Sequence, residues 1–199
     1  SGLDQEMFDC DRVFNLLCLF GNVTLIRFLR TRPGSLLVQM GDECAVDRAI
    51  THLNNSVIFG RRLTLCVSRK TQVLPGQSFS LPGGGKSCKS FRTSRNNRFT
   101  SLEQAAKNRV QHPSRILHFF NAPPDISQEA LEKVCDELGV TKFSSFTLFP
   151  TKTDRNSSGL LEWKTVSEAL EAIVRMNHYQ MRHENGQVPH TFRLCFSNA

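Results

Sequence analysis

A strand-then-helix segment occurs twice in this chain, and the distance between the copies restricts the folds open to it. Leu36-Leu37-Val38-Gln39-Met40 leads into an amphipathic stretch closed by His52-Leu53-Asn54, and Gly159-Leu160-Leu161-Glu162-Trp163 leads into one closed by Met176-Asn177-His178. Copies about 120 residues apart are too distant for a solenoid and fit two copies of one small α+β domain. At 199 residues the chain has room for two such domains, each with a modest core.

Local patterning fills in both units. In the first, Val13, Phe14, Leu16, Leu17 and Phe20 recur at helical spacing and predict a helix over Asp11 to Phe20, stopped by Gly21-Asn22. Strands are predicted over Val23 to Leu29 and Ser35 to Met40, joined by the Arg32-Pro33-Gly34 turn. A helix over Glu43 to Leu53 follows, then a short extension at Val57 to Phe59 and a closing strand over Leu63 to Val67. The second unit predicts a strand at Ile116 to Asn121 and a helix capped by Ser127 and ended by Gly139. Strands at Ser145 to Phe149 and Gly159 to Trp163, a helix over Val166 to Met176 and a last strand over Thr191 to Phe196 complete the split βαβ order.

The domains are thus read as residues 1–70 and 114–199, separated by 71–113, where Pro, Gly, Ser, Lys, Arg and Asn dominate. Pro82-Gly83-Gly84-Gly85 is its most flexible-looking point. Phe79, Phe91 and Phe99 are aromatics that a solvated linker has no use for, so this linker is expected to be partly ordered and docked.

Charge and cysteine usage narrow the chemistry. Lys and Arg outnumber Asp and Glu by 25 to 18, a net charge of +7 that favours polyanionic partners. Seven cysteines are scattered, with no Cys-x-x-Cys pair and no His at ligand spacing, so no metal or cofactor is expected; they read as buried reduced thiols of an intracellular protein. No apolar run reaches the ~18 residues of a membrane span, and the N-terminus lacks the order of a signal peptide. Gly83-Gly84-Gly85 follows no Walker pattern and no Ser/Cys-His-acid set sits in a recognisable motif, so no enzyme is expected.

The strand order brings in a resemblance. Ser158-Gly159-Leu160-Leu161-Glu162-Trp163 fills the last six positions of the third-strand octamer of the RNA recognition motif, and Leu117-His118-Phe119-Phe120-Asn121-Ala122 fills its first-strand hexamer. Ser158 and Leu160 stand where stacking aromatics are usual, and Ser35 and Leu37 do so in the first unit. Aliphatic octamers with a His in the hexamer resemble the polypyrimidine-tract-binding and heterogeneous nuclear ribonucleoprotein L subfamily. Cys10-Asp11-Arg12-Val13-Phe14-Asn15, Arg48-Ala49-Ile50-Thr51-His52-Leu53-Asn54-Asn55, Gln104-Ala105-Ala106-Lys107-Asn108-Arg109 and Asn177-His178-Tyr179-Gln180-Met181 resemble the L family specifically, in its C-terminal pair of motifs.

That resemblance implies single-stranded RNA, CA-rich, laid across a β-sheet without catalysis, in a nuclear regulator of pre-mRNA splicing that also shuttles to the cytoplasm and meets splicing-factor proteins. His118 and Phe120 are the expected stacking groups, with Phe149 a further apolar surface. Thr147, Ser158, Leu160, Glu162 and Arg193 share the face, and Asn198 lies at its edge. In the first unit Arg27, Leu29, Leu37, Gln39 and Thr64 line the equivalent face, with Arg69 and Lys70 at a strand end. Trp163 is read as core. The rival reading is a protein-interaction pair that uses its helical faces and binds RNA weakly or not at all.

Two further expectations concern the units as wholes. Val46 and Ile50, and Val166, Leu170 and Val174, widen the apolar stripes of their helices beyond what one small core needs. By resemblance these faces pack the two units together, with the sheets looking away from each other. The first unit also lacks an opening strand: Ser1-Gly2-Leu3-Asp4-Gln5-Glu6-Met7 has no strand pattern, which leaves a central sheet position to be filled.

Overall fold

The computed structural model describes residues 1–151, 155–182, 186 and 188–199. The chain divides into two compact units, Ser1–Val110 and Gln111–Ala199.

In the first unit, helix α1 (Cys10–Leu17) starts where the Asp9 carboxylate accepts from the Arg12 N–H. It buries Val13, Phe14, Leu16 and Leu17. Strands β1 (Val23–Phe28) and β2 (Leu36–Met40) pair antiparallel, and β1 turns Val23, Ile26 and Phe28 to the core. Helix α2 (Glu43–Leu53), N-capped by Asp42, buries Ala45, Ala49 and Leu53 on one stripe. A two-residue hairpin, β3 (Val57–Ile58) and β4 (Arg61–Arg62), follows.

The expected strand over Leu63–Val67 does not form. Its main chain is satisfied locally instead: Leu63 N–H donates to the Ser56 carbonyl, Asn55 N–H donates to the Leu63 carbonyl, and Leu65 N–H donates to Asn54 Oδ1. The Ser1 ammonium donates to the Thr64 carbonyl at 2.8 Å and Thr64 N–H donates back to Ser1 at 3.0 Å, while Leu3 N–H donates to the Gly34 carbonyl at 3.1 Å. Ser1 to Leu3, which carry no strand pattern, thus bond to Thr64 on one side and to Gly34, in the turn before β2, on the other.

The region read as linker belongs largely to this unit. Strand β5 (Cys88–Ser90) pairs antiparallel with the free edge of β1, giving the order β2-β1-β5. Phe91 is buried and stacks on Phe14 with centroids 4.4 Å apart. Asn97 is buried too; its Oδ1 accepts from the Val23 N–H, and its Nδ2 donates to the Val23 and Phe91 carbonyls. Phe79 and Phe99 sit under the guanidinium groups of Arg30 and Arg48. The glycine run is not a slack point either: a Cβ on Gly83 would collide with the Glu6 carbonyl oxygen, and Gly85 lies against Asp9. A short helix, α3 (Leu102–Lys107), capped by Ser101, precedes the boundary.

The second unit follows the predicted order closely. Strand β6 (Ile116–Ala122) leads to α4 (Gln128–Leu138), whose Ser127 cap and left-handed Gly139 stop are both realised. Strands β7 (Ser145–Leu148) and β8 (Ser157–Glu162) lead to α5 (Val166–Met176), opened by a Thr165/Glu168 capping box. The predicted last strand is split: β9 (Gln180–Met181) pairs with β10 (His190–Thr191), and β11 (Arg193–Phe196) joins the main sheet. The sheet order is β11-β6-β8-β7, antiparallel throughout. Leu117, Phe119, Leu161, Trp163, Leu194 and Phe196 are buried with Leu131, Ala169 and Ile173 of the helices. The Trp163 indole N–H donates to the Thr141 carbonyl at 2.6 Å, which satisfies the one polar atom it takes into the core.

Of the five apolar helix residues read as surplus, Leu170 and Val174 are buried, Val46 and Ile50 half-buried and Val166 exposed. The cysteines divide differently from the expectation of buried thiols. Cys10, Cys18 and Cys135 are buried, Cys88 and Cys195 half-buried, and Cys44 and Cys66 exposed. Burial pushes the Cys10 thiol up to about 12 and the Cys135 thiol up to about 11.

Candidate nucleic-acid interface

Strand alternation in the second unit puts one set of side chains on the face away from the helices, and cross-strand register fixes their neighbours. One row runs Cys195, His118, Leu160, Thr147; the next runs Arg193, Phe120, Ser158, Phe149. Seven of these eight were expected there from sequence. The missed residue is Cys195, which two-residue alternation from Arg193 already indicates.

Three rings meet in the middle. His118 lies 5.5 Å from Phe120 and 5.7 Å from Phe149 between centroids. Phe149 belongs to the chain beside β8 rather than to β6, and its N–H donates to the Ser158 carbonyl at 2.9 Å. The small Ser158, at the octamer position, therefore stands in the row between Phe120 and Phe149, and both of those rings lie against His118. Burial also lowers the pKa of His118 below its ordinary value, so the ring is neutral at pH 7 and its face is not charged. The Cys195 thiol lies 3.8 Å from His118 Nδ1.

A bulge shapes one end of this surface. The β6-to-β8 register shifts between Phe119 and Ala122, and Asn121 adopts φ +58°, held by its Nδ2 donating to the Thr191 carbonyl. Phe120, Asn121, Asn156, Ser158 and Arg193 line a depression of about 430 Å³ there. Strict alternation turns Asn121 inward, so neither it nor Asn156 was expected from sequence. At the opposite end Glu162 pairs with Arg115 at 3.5 Å, and Asn198 donates to Gln111. The described face thus offers stacking rings, amides, two hydroxyls and a guanidinium, the set that holds unstacked bases and their phosphates.

The first unit presents its expected residues differently. Arg27 pairs across the sheet with Leu37 and Cys88, and Gln39 pairs with Leu25, which puts both polar groups in the middle of the outward face. Both are engaged by the chain itself. Arg27 Nη1 donates to the Leu74 carbonyl at 3.1 Å, and Gln39 Oε1 accepts from the Val73 N–H at 2.9 Å. Leu29 and Leu37 are half-buried, Thr64 is tied to Ser1, and Arg69 and Lys70 are exposed. Among the described residues no group of His, Cys, Asp and Glu is placed to hold a metal ion, and no helix is long and apolar enough to cross a membrane.

Comparison with known proteins matches this geometry. A family model described as RNA recognition motif covers residues 1–94, and one described as RRM domain covers residues 107–199. Heterogeneous nuclear ribonucleoprotein L of Homo sapiens and of Mus musculus is 54% identical over 198 residues, spanning 100% of this chain and 34% of each relative. Polypyrimidine tract-binding protein homolog 3 of Arabidopsis thaliana is 30% identical over 177 residues, 87% of this chain and 37% of the relative. The chain therefore spans about a third of the length of these relatives. Among solved structures, Sex-lethal RNA recognition domains 1 and 2 from Drosophila melanogaster align over 99% of this chain and 96% of theirs, at 16% identity and a TM-score of 0.32.

Proposed function

The chain belongs to the RNA recognition motif family, which binds RNA and performs no reaction on it, and we propose that its second unit is the principal binding surface for single-stranded, CA-rich RNA. The observation that carries this reading is the His118, Phe120 and Phe149 cluster on an open sheet face, beside a polar depression that ends at Arg193. Bases stack on rings with little regard to sequence, at roughly 1–3 kcal/mol each. Sequence preference then rests on edge contacts, for which Thr147, Ser158, Asn121 and Asn156 provide donors and acceptors. The CA-rich preference is our reading of the resemblance to the heterogeneous nuclear ribonucleoprotein L family, a resemblance supported by 54% identity.

By the same similarity we place the protein in the nucleus, in pre-mRNA processing and splicing regulation alongside other splicing factors, with movement to the cytoplasm. The first unit has a secondary part, because Arg27 and Gln39 already hold partners within the chain. The apolar stripes carrying Val46 and Ile50, and Val166, Leu170 and Val174, are our candidates for packing the two units together.

Fluorescence anisotropy with CA-repeat and scrambled RNA tests the binding function. Tighter binding of the CA repeat, weakening with salt at about −0.7 log units per phosphate contact per log unit of salt, is the expected result. Binding indifferent to salt, to sequence and to His118→Ala would refute it and favour a protein-interaction role.

A further inference from the structure

A short run of the chain lies across the outward face of the first unit's sheet. Val73 N–H donates to Gln39 Oε1 at 2.9 Å, and the Leu74 carbonyl accepts from Arg27 Nη1 at 3.1 Å. Gly76 backs onto the same guanidinium so closely that a Cβ there would fall 2.5 Å from Arg27 Cζ. The Val73 side chain is 6% exposed, whereas Leu74 beside it is 60% exposed. The run is therefore anchored at defined points and is not lying loosely over the surface.

The chemistry of those anchors is informative. Val73 and Leu74 present one donor and one acceptor from adjacent residues to a glutamine oxygen and an arginine N–H. Adenine and cytosine present the same pair, an exocyclic amine beside a ring nitrogen, on one edge. The two side chains it engages are the ones the sheet offers for reading a base.

We infer that Val73 to Gly76 form an autoinhibitory strap, a peptide edge standing where a base edge would bind on the first unit. This rests on RNA being the ligand of the sheet faces. RNA reaches Arg27 and Gln39 only after the strap leaves, so the first unit's affinity is reduced by the fraction of time the strap is open. Two hydrogen bonds and one buried valine, set against the backbone entropy lost in ordering the run, put that reduction at about ten-fold. The strap is tethered at both ends, so its release is a local event that needs no unfolding of the sheet.

The test uses the full chain with the second unit silenced by His118→Ala and Phe120→Ala, and CA-repeat RNA as the probe. Val73→Pro removes the donor to Gln39, and a second variant replaces residues 73–76 with a Gly/Ser sequence of equal length; thermal unfolding checks that each folds. Both are expected to bind the RNA about ten-fold tighter than the strap-intact chain. In the unsubstituted chain the Val73 amide is expected to lose its protection from hydrogen exchange when RNA saturates the protein. Equal or weaker binding by the released variants, or Val73 protection that persists at saturation, overturns the strap. Failure of the RNA reading itself looks different: the chain with His118 and Phe120 intact would not bind the probe at all.

Discussion

The rings of His118 and Phe120 stand two positions apart on one strand with centroids 5.5 Å apart and planes 30° from parallel, and Phe149 reaches His118 from beyond β8 at 5.7 Å. Aromatic surface that the octamer lacks at Ser158 and Leu160 is thus supplied by a residue at the end of β7. The platform is rebuilt from a different strand.

Phe120→Ala and His118→Ala are each expected to weaken RNA binding by about 1–3 kcal/mol. Because the rings touch, the double variant should lose less than the sum of the single losses. Anisotropy titrations of the four proteins measure this directly, and strict additivity would mean that the rings do not act as one surface.

The lowered pKa of His118 has a stability consequence. Burial makes the folded state hold the neutral ring, whereas the unfolded chain takes up a proton near the ordinary value of about 6.5. Between that value and the lower folded one, the unfolded state binds more protons. The contribution is therefore complete above pH 6.5 and is lost as pH falls through that window. Melting temperatures of the wild type and His118→Gln between pH 7.5 and 5 should show the wild type losing more stability, and parallel curves would refute this.

Gly159 has no space for a side chain. A Cβ there would collide with the Thr147 carbonyl oxygen and come within 2.8 Å of the Phe119 ring. One neighbour is paired backbone of β7 and the other a fully buried ring of β6, so Gly159→Ala should cost about 1–3 kcal/mol of second-unit stability, read from the urea midpoint. A change below 0.5 kcal/mol would show that the sheet yields easily at this point.

Asn97 serves as a side-chain extension of the β1 ladder, with three bonds to the main chain of Val23 and Phe91. Asn97→Ala leaves buried backbone groups without partners, at roughly 1–3 kcal/mol each. Hydrogen exchange should speed up most at the Val23 amide. Unchanged exchange there would mean that water takes over the role.

Much of the second unit was legible from residue order. Ser127 and Gly139 bracket α4, Val166 to Met176 matches α5 at both ends, and alternation along β6 puts His118 and Phe120 on one face. Caps and periodicity act within a turn or two of chain, so local sequence suffices. The bulge at Asn121 was not legible, because a one-residue register shift depends on the partner strand. In the first unit Leu63 to Val67 reads as a strand and is not one, while Cys88 to Ser90 reads as linker and forms β5.

The sequence by itself determined that there are two like α+β units, where α2, α4 and α5 begin and end, and which second-unit residues share a face with His118, whereas the helix read over Asp11 to Phe20 stops at Leu17 and α3 falls in the stretch read as linker. Tertiary structure alone decided that Phe91 and Asn97 fasten the supposed linker to β1, that Phe149 meets His118, and that Val73 and Leu74 engage Gln39 and Arg27. The physical reason is the range of the forces involved. Helix periodicity and capping are settled by neighbours a few residues away, whereas a strand edge or an open sheet face goes to whichever distant segment best satisfies its hydrogen bonds and buries its apolar surface.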